Sequence, residues 1–249
     1  MHSTIQLGSV ALPAGPLTSL LAVWLATEVA ARMGRWYGLT YDRMFGLCTS
    51  ALLVGLVVAR LAHVVAFWEV YSQSLLDVLA LRPGGLTPWP GIIGAFVAAW
   101  IYLMRFRLDP EPAGSAVLIG LAAGGVVWTI GGYLTGRVVG TETDMIWAAM
   151  YGEQARHPTG LYQSLGCAAI WTFLWYRTLE PRRVLLTGLF LVALLFLLTE
   201  GFRIGRADEL WLDASQIGWL ALALLTGYGM WRTNMSPHSD PPDAESAVP

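Results

Sequence analysis

Read from its first residue, the chain alternates long apolar runs with short polar breaks. A membrane crossing needs about 20 largely apolar residues. Seven stretches approach that length, near 16–34, 44–68, 91–106, 113–135, 160–177, 184–200 and 214–231. The third is the shortest, and its start can move upstream. The breaks between them hold Pro, Gly and charge, as in Arg35 to Arg43, Arg82 to Pro90 and Arg105 to Pro112. The pattern predicts an all-α membrane protein of about seven transmembrane helices, forming one domain over residues 1–232. Beyond it, 233–249 is polar and Pro-rich (Ser236, Pro237, Ser239, Pro241, Pro242, Asp243) and reads as a disordered cytoplasmic tail.

Arginines at alternate ends of these runs set an orientation. One side holds Arg32, Arg35, Arg43, Arg105, Arg107, Arg177, Arg182, Arg183 and Arg232. The other holds Arg82, Arg137, Arg156, Arg203 and Arg206, with the acids Glu69, Asp77, Glu142, Asp144, Glu153, Asp208, Glu209 and Asp213. The positive-inside rule weighs basic residues alone. It puts the N-terminus outside and the C-terminus in the cytoplasm, in keeping with an odd number of spans. The loops 136–159 and 201–213 then face outward, and they are too long and polar to be minimal turns.

Composition strengthens the membrane assignment. The 249 residues are 55% hydrophobic and 13% charged, with a mean hydropathy of +0.55. A soluble domain carries about 25% charge, so there is too little here to clothe a water-facing surface. Twelve Trp and nine Tyr suit aromatic belts at two interfaces, and 27 Gly suit close helix packing in lipid. The net charge of −2 offers nucleic acid no basic surface. All the basic residues are Arg, a choice that a GC-rich genome explains as well as function does. Cys48 and Cys167 both fall inside apolar runs and read as small packing residues, not a disulfide or a metal pair. Residues 1–15 lack a basic segment followed by an apolar one, so no cleavable signal peptide is expected.

Polar groups at membrane depth are the first candidates for chemistry. Arg60 lies inside Leu52 to Leu61, with His63 on the same helix face. It is open to two readings: an interior phosphate site, since Arg grips two phosphate oxygens at once, or a structural Arg near the outer interface paired to Glu69. His63 reads first as a packing residue. Glu200 ends the run Leu191 to Thr199 and precedes Gly201-Phe202-Arg203. Either it acts as an acid or base or it pairs with a buried Arg, because an unpaired carboxylate there is costly. Glu28 and Arg32 read as an i,i+4 pair at the cytoplasmic end. Two Gly-rich stretches, Gly84 to Gly94 and Gly124-Gly125 through Gly131-Gly132, suit either phosphate contact at a helix start or tight helix packing.

An ordered series of segments resembles prolipoprotein diacylglyceryl transferases. Ala59-Arg60-Leu61 within Gly55 to Val65 is similar to the family's G-A-R-L-x-Y-V. Leu75 to Gly94 is similar to its run ending SFHGG[LI][LI]G, and Thr143-Asp144-Met145-Ile146-Trp147 to TDLPW. Arg156-His157-Pro158-Thr159-Gly160-Leu161-Tyr162-Gln163 resembles RHPSQLYE, and Glu200-Gly201-Phe202-Arg203 resembles EFFR. Order and spacing agree from about residue 44 to 220. The resemblance implies a multi-pass protein of the bacterial cytoplasmic (inner) membrane. It also implies transfer of a diacylglyceryl group from phosphatidylglycerol to a lipobox cysteine, with glycerol phosphate released and no cofactor. The partners it implies are a phospholipid and prolipoprotein signal peptides.

The departures fall among residues the family uses for chemistry. Its His aligns with Trp89 and the next Gly with Pro90; Trp cannot accept a proton from a thiol. Its GRIGNFINGE aligns with Trp128 to Arg137, so that its Arg becomes Thr129, its Asn Gly132 and its last Glu Arg137. A further Arg, four residues before Glu200, is Phe196, and the Tyr of its first-helix YGL motif has no counterpart near Ala14 to Leu17. The resemblance therefore leaves His157 and Glu200 as catalytic candidates. Arg60, Arg156, Tyr162 and Arg203 remain as substrate-binding candidates, Arg137 joins them as a replacement for the lost Arg from a nearby position, and no metal site is expected. The alternative is a non-catalytic, phospholipid-binding paralogue that has lost the family's His, Asn and Arg set.

Overall fold

A computed structural model of the chain describes residues 4–7, 10–72, 76–79, 84–177, 180–203 and 213–235. The strands β1 (Thr4–Leu7) and β2 (Val10–Pro13) pair antiparallel and lead into helices α1 (Ala14–Trp36) and α2 (Tyr41–Ala66). Two short helices follow, α3 (Trp68–Tyr71) and α4 (Leu76–Leu79), then the long α5 (Pro88–Phe106) and α6 (Pro110–Leu134). A hairpin of β3 (Ala149–Tyr151) and β4 (Gln154–Arg156) precedes α7 (Thr159–Tyr176), α8 (Pro181–Glu200) and α9 (Ala214–Met235).

The chain is thus a mostly helical membrane protein and, among the described residues, carries two small hairpins that the apolar pattern does not announce. The third long helix starts at Pro88, upstream of the position read from hydropathy, because Pro88 and Pro90 sit in a first turn that needs no N–H donor. Helices α1, α2, α5, α6 and α8 are long and apolar enough to cross a membrane. Helices α7 and α9 are long as well, but they carry more polar side chains, including Gln163 and Ser164, and Ser215 and Gln216. The expected tail beyond Met235, and Arg82, Arg206, Asp208 and Glu209, lie outside the described residues.

Small residues let the long helices pack antiparallel. On α6, Gly120, Gly124 and Gly131 press against Ala26, Ala22 and Thr18 of α1, so closely that a Cβ at any of the three would overlap the neighbour. Helices α2 and α5 meet the same way: a Cβ at Gly55 would stand 2.9 Å from the Gly91 carbonyl oxygen, and one at Gly91 2.9 Å from that of Gly55. Lipid is as apolar as Leu, so association rests on such close contact and not on a hydrophobic drive. Packing is therefore the use these glycines serve. Both cysteines are free, and Cys167 fills the space beside Gly125.

The main apolar core gathers where α1, α5, α7 and α9 end and α2, α6 and α8 begin. Met33, Met44, Ile119, Leu174 and Val184 are almost wholly buried there. Glu28 and Arg32 pair at that end at 2.6 Å, and Tyr41 donates to Glu28 at 2.8 Å. Helix α6 runs through the centre of the molecule. Helix α5 is peripheral, with Gly91 its sole buried residue, and it stands away from α6. The gap is an apolar cavity of about 450 Å³, lined by residues such as Ala26, Cys48, Ala95, Phe96 and Leu121.

Candidate functional site

The opposite end, where α2, α6 and α8 finish, carries most of the candidate residues. Four short segments line up there. β3 pairs with β4, Glu142 bridges to Arg156, and Gly140 bridges to Arg203, all antiparallel. His157 donates its backbone N–H to Thr141 at 3.0 Å, and Thr141 donates its own to Phe202 at 2.7 Å. The segment 140–143 is the middle of this assembly. Gly140 is required in it, because a Cβ would run into the His157 carbonyl oxygen. These contacts join two stretches of chain nearly fifty residues apart, 156–157 and 202–203.

His157 sits at the edge of this sheet, two residues before α7. Its Nδ1 lies 3.2 Å from the Tyr162 hydroxyl, which also accepts the Trp147 indole N–H at 2.8 Å. The Phe202 ring packs against both, with centroids 4.9 Å from His157 and 6.1 Å from Tyr162. An indole can only donate. The Tyr162 oxygen therefore keeps capacity to accept from His157 Nδ1–H or to donate to a bare Nδ1. Arg156 turns the other way, donating to the Gly140 carbonyl at 3.3 Å, to Glu142 at 3.3 Å and to Gln154. Nearby, burial and then the neighbouring Tyr133 raise the Tyr151 phenol above its ordinary range, which keeps it protonated.

Glu200 is buried at the end of α8 and holds Arg203 at 3.0 Å, while Ser215 donates to the same carboxylate at 3.3 Å. The guanidinium of Arg203 keeps one side toward solvent, its side chain being 55% exposed. Beneath this pair, Gln163 donates to Thr199 at 3.2 Å, tying α7 to α8 one residue away from both Tyr162 and Glu200. Gln163, Thr199 and Trp147 belong to the site's support although none was singled out from the sequence. The available signal was that Trp147 and Gln163 lie inside matched segments and Thr199 precedes Glu200.

Arg137 follows a helix ending. Helix α6 stops at Leu134, and Gly136 takes a left-handed φ of 68°. Arg137 then donates its N–H to Gly132 at 3.0 Å and Gly136 to Tyr133 at 3.2 Å, the pair of bonds that closes a Schellman ending. The chain doubles back, and the Arg137 guanidinium lies 4.4 Å from the centroid of the Trp128 ring. Its Nη2 would stand 3.7 Å from a Cβ on Gly132. Its charge therefore lies along the face of α6 that carries Trp128 and Gly132. The Thr129 hydroxyl is turned inward, donating to Gly125 at 2.8 Å and Val126 at 3.2 Å.

Arg60 stands apart from this group. It is buried near the end of α2 and donates to the carbonyls of Asp77 at 2.6 Å, Gly85 at 2.8 Å and Val78 at 3.0 Å, and to the Tyr71 hydroxyl at 3.2 Å. The guanidinium pins the turns between α2 and α5 to α2. His63 packs against Phe67 and Tyr71 on the same side. At the start of α5, Trp89 is 75% exposed on the helix's outer face. Among the described residues, no three His, Cys, Asp or Glu side chains gather closely enough to hold a metal ion.

Residues 5–232 match the family described as prolipoprotein diacylglyceryl transferase. Several curated relatives carry the name phosphatidylglycerol–prolipoprotein diacylglyceryl transferase. The one from Clostridioides difficile (strain 630) is 28% identical over 69% of this chain and 62% of its own length, so that match spans less than two thirds of the relative. The one from Finegoldia magna is 26% identical over 80% of this chain and 81% of the relative. That from Bacillus cereus (strain ATCC 14579) is 28% identical over 92% and 90%.

Proposed function

The chain belongs to the prolipoprotein diacylglyceryl transferase family. On that premise, we propose that it is a diverged member that transfers diacylglyceryl from phosphatidylglycerol to a prolipoprotein cysteine, with Arg137 standing in for a lost Arg from a nearby position and His157 acting as the base. The observation that carries this reading is Arg137: the helix ending returns its guanidinium to the turn where the family's Arg aligns with Thr129. A cation there suits the phosphate of the lipid. Arg203, steadied by Glu200, offers a second cation from across the sheet. Arg156 ties the middle segment of the sheet, and Arg60 holds the separate loop between α2 and α5.

His157 takes the part of the base. With Nδ1–H donated to Tyr162, its Nε2 lone pair faces away from the bond and can take the proton of an incoming thiol. The sulfur then bonds to the glyceryl carbon that carries the phosphate ester. The C–O bond breaks, its electron pair leaves with glycerol phosphate, and the proton passes from His157 to that leaving group. In this reading all seven long helices cross the cytoplasmic membrane, the N-terminus lies outside, and the site faces outward. The apolar cavity beside α5 is the place for lipid chains.

A second reading, a non-catalytic phospholipid-binding paralogue, is favoured by Trp89 and Thr129. One is an exposed indole at the family's His position, and the other has its hydroxyl bonded within its own helix. Complementation of a strain depleted of its own diacylglyceryl transferase separates the two. The first reading expects growth with the wild-type chain and none with His157→Ala or Arg137→Ala, each checked for membrane accumulation. Full activity in both variants overturns it. Growth restored by Trp89→His but not by wild type selects the second.

A further inference from the structure

We infer that the turn Met145–Ala148 is a membrane foot: it lies in the interfacial layer of the bilayer, with the side chains of Ile146 and Trp147 among the lipids. The turn is closed by the Ala148 N–H donating to Met145 at 2.9 Å. Its central residues are Ile146 and Trp147, where tight turns in water favour Gly, Pro, Asn, Asp or Ser. Ile146 is 97% exposed, and Met145, Trp147 and Met150 are exposed beside it. From Met145 to Tyr151 there is no charged residue, whereas Asp144 and Glu153 bracket the stretch. Single exposed apolar side chains are ordinary, but four within six residues form a patch that water does not favour.

Two observations say what covers the patch. Trp147 donates its indole N–H to Tyr162 in the first turn of α7, so the polar edge of the ring is satisfied inside the protein and the apolar remainder faces out. One turn further along α7, on the face that carries Tyr162, Leu165 is 70% exposed. The turn thus overhangs an apolar side of a helix at the point where that helix begins. Trp is enriched at this depth in membrane proteins, and Trp147 can enter the layer with no unpaired donor. The inference needs only the membrane assignment, so it stands whether or not the chain turns over substrate.

The test places a spin label at Ile146→Cys in a Cys48→Ala, Cys167→Ala background, in nanodiscs of phosphatidylglycerol and phosphatidylcholine. A label at Glu153→Cys serves as the aqueous reference. The foot predicts that the ratio of oxygen to nickel-chelate collisions is several-fold higher at 146 than at 153. Equal ratios, with both labels open to the chelate, overturn it. A label at 146 shielded from both reagents also overturns it, since that marks burial against a protein, including a second copy. Photo-crosslinking from p-benzoylphenylalanine at 146, in the otherwise native chain, gives an independent check. Phospholipid adducts support the foot, and their absence overturns it.

Discussion

The two ends of the helical bundle are built by different means. At the end where α2, α6 and α8 begin, Met33, Met44, Ile119, Leu174 and Val184 fill an apolar core. At the other, few large apolar side chains are fully buried, and the joints are polar: Arg60 to three carbonyls, Gln163 to Thr199, Glu200 to Arg203, His157 to Tyr162. In lipid, apolar packing gains only close contact, because the separated helices are already out of water. A buried polar joint has a steeper downside, since its abandoned partner has nothing else to bond. The polar end therefore depends on a few particular residues, while the apolar end depends on fit spread over many.

Substitutions can break or sharpen that contrast, and the largest effect is expected from neither end but from the seam joining them. Gly120→Leu drives a side chain into the Ala26 carbonyl and Ala30, and α1 cannot retreat without leaving α6. Overpacking costs about 1–3 kcal/mol where neighbours can yield and more where they are backbone. The expected result is little or no folded protein by size-exclusion in detergent. Next comes Arg60→Met, which leaves the carbonyls of Asp77, Val78 and Gly85 without this donor, at a cost of about 2–3 kcal/mol by reversible unfolding. Protease cleavage within 72–87 should rise with it, a readout that distinguishes a loosened loop from global unfolding.

Leu174→Ala is the matching change in the apolar core. In water such a deletion costs about 2–5 kcal/mol. Here the removed side chain leaves lipid behind in the unfolded state as well, so about 1–2 kcal/mol is expected from lost packing alone. A cost above that of Arg60→Met would refute the contrast between the ends. The smallest effect is expected from Gln163→Leu, about 0.6 kcal/mol, because Thr199 is not abandoned but keeps its bond to the Leu195 carbonyl at 2.9 Å. If that variant accumulates normally yet fails in complementation, Gln163 positions the site and does not merely hold the fold.

Much of the architecture was legible in the order of residues. Apolar runs locate the long helices to within a few residues, and i,i+4 spacing announces Glu28 with Arg32. That Glu200 is paired follows from the cost of a lone carboxylate at the end of an apolar run, but its partner Arg203 is half exposed and not the buried Arg expected. Arg60 shows the limit. Hydropathy marks it as anomalous, but its partners are carbonyls 17 to 25 residues on, and a carbonyl carries no side-chain signature. Likewise, nothing in Gly140 or Thr141 says that they will pair with Phe202 and Arg203 as well as with Arg156 and His157. Arg137 is intermediate: Gly136 advertises a helix ending, but only the fold shows the guanidinium turned back onto Trp128.

The sequence by itself determined that this is a helical membrane protein of one family, because apolar length and the order of motifs are properties of the chain read in line. It also carried the departures that the resemblance marks, at Trp89, Thr129 and Gly132. Tertiary structure alone decided what those and the surviving residues face. It gathered Arg156, His157, Tyr162, Glu200 and Arg203 about one small sheet, left Arg60 holding a loop, and set Arg137 over Trp128. The physical reason is that helix formation depends on near neighbours and on exclusion from water. Hydrogen-bond partners far apart in the chain are chosen by backbone geometry, which residue identity leaves open.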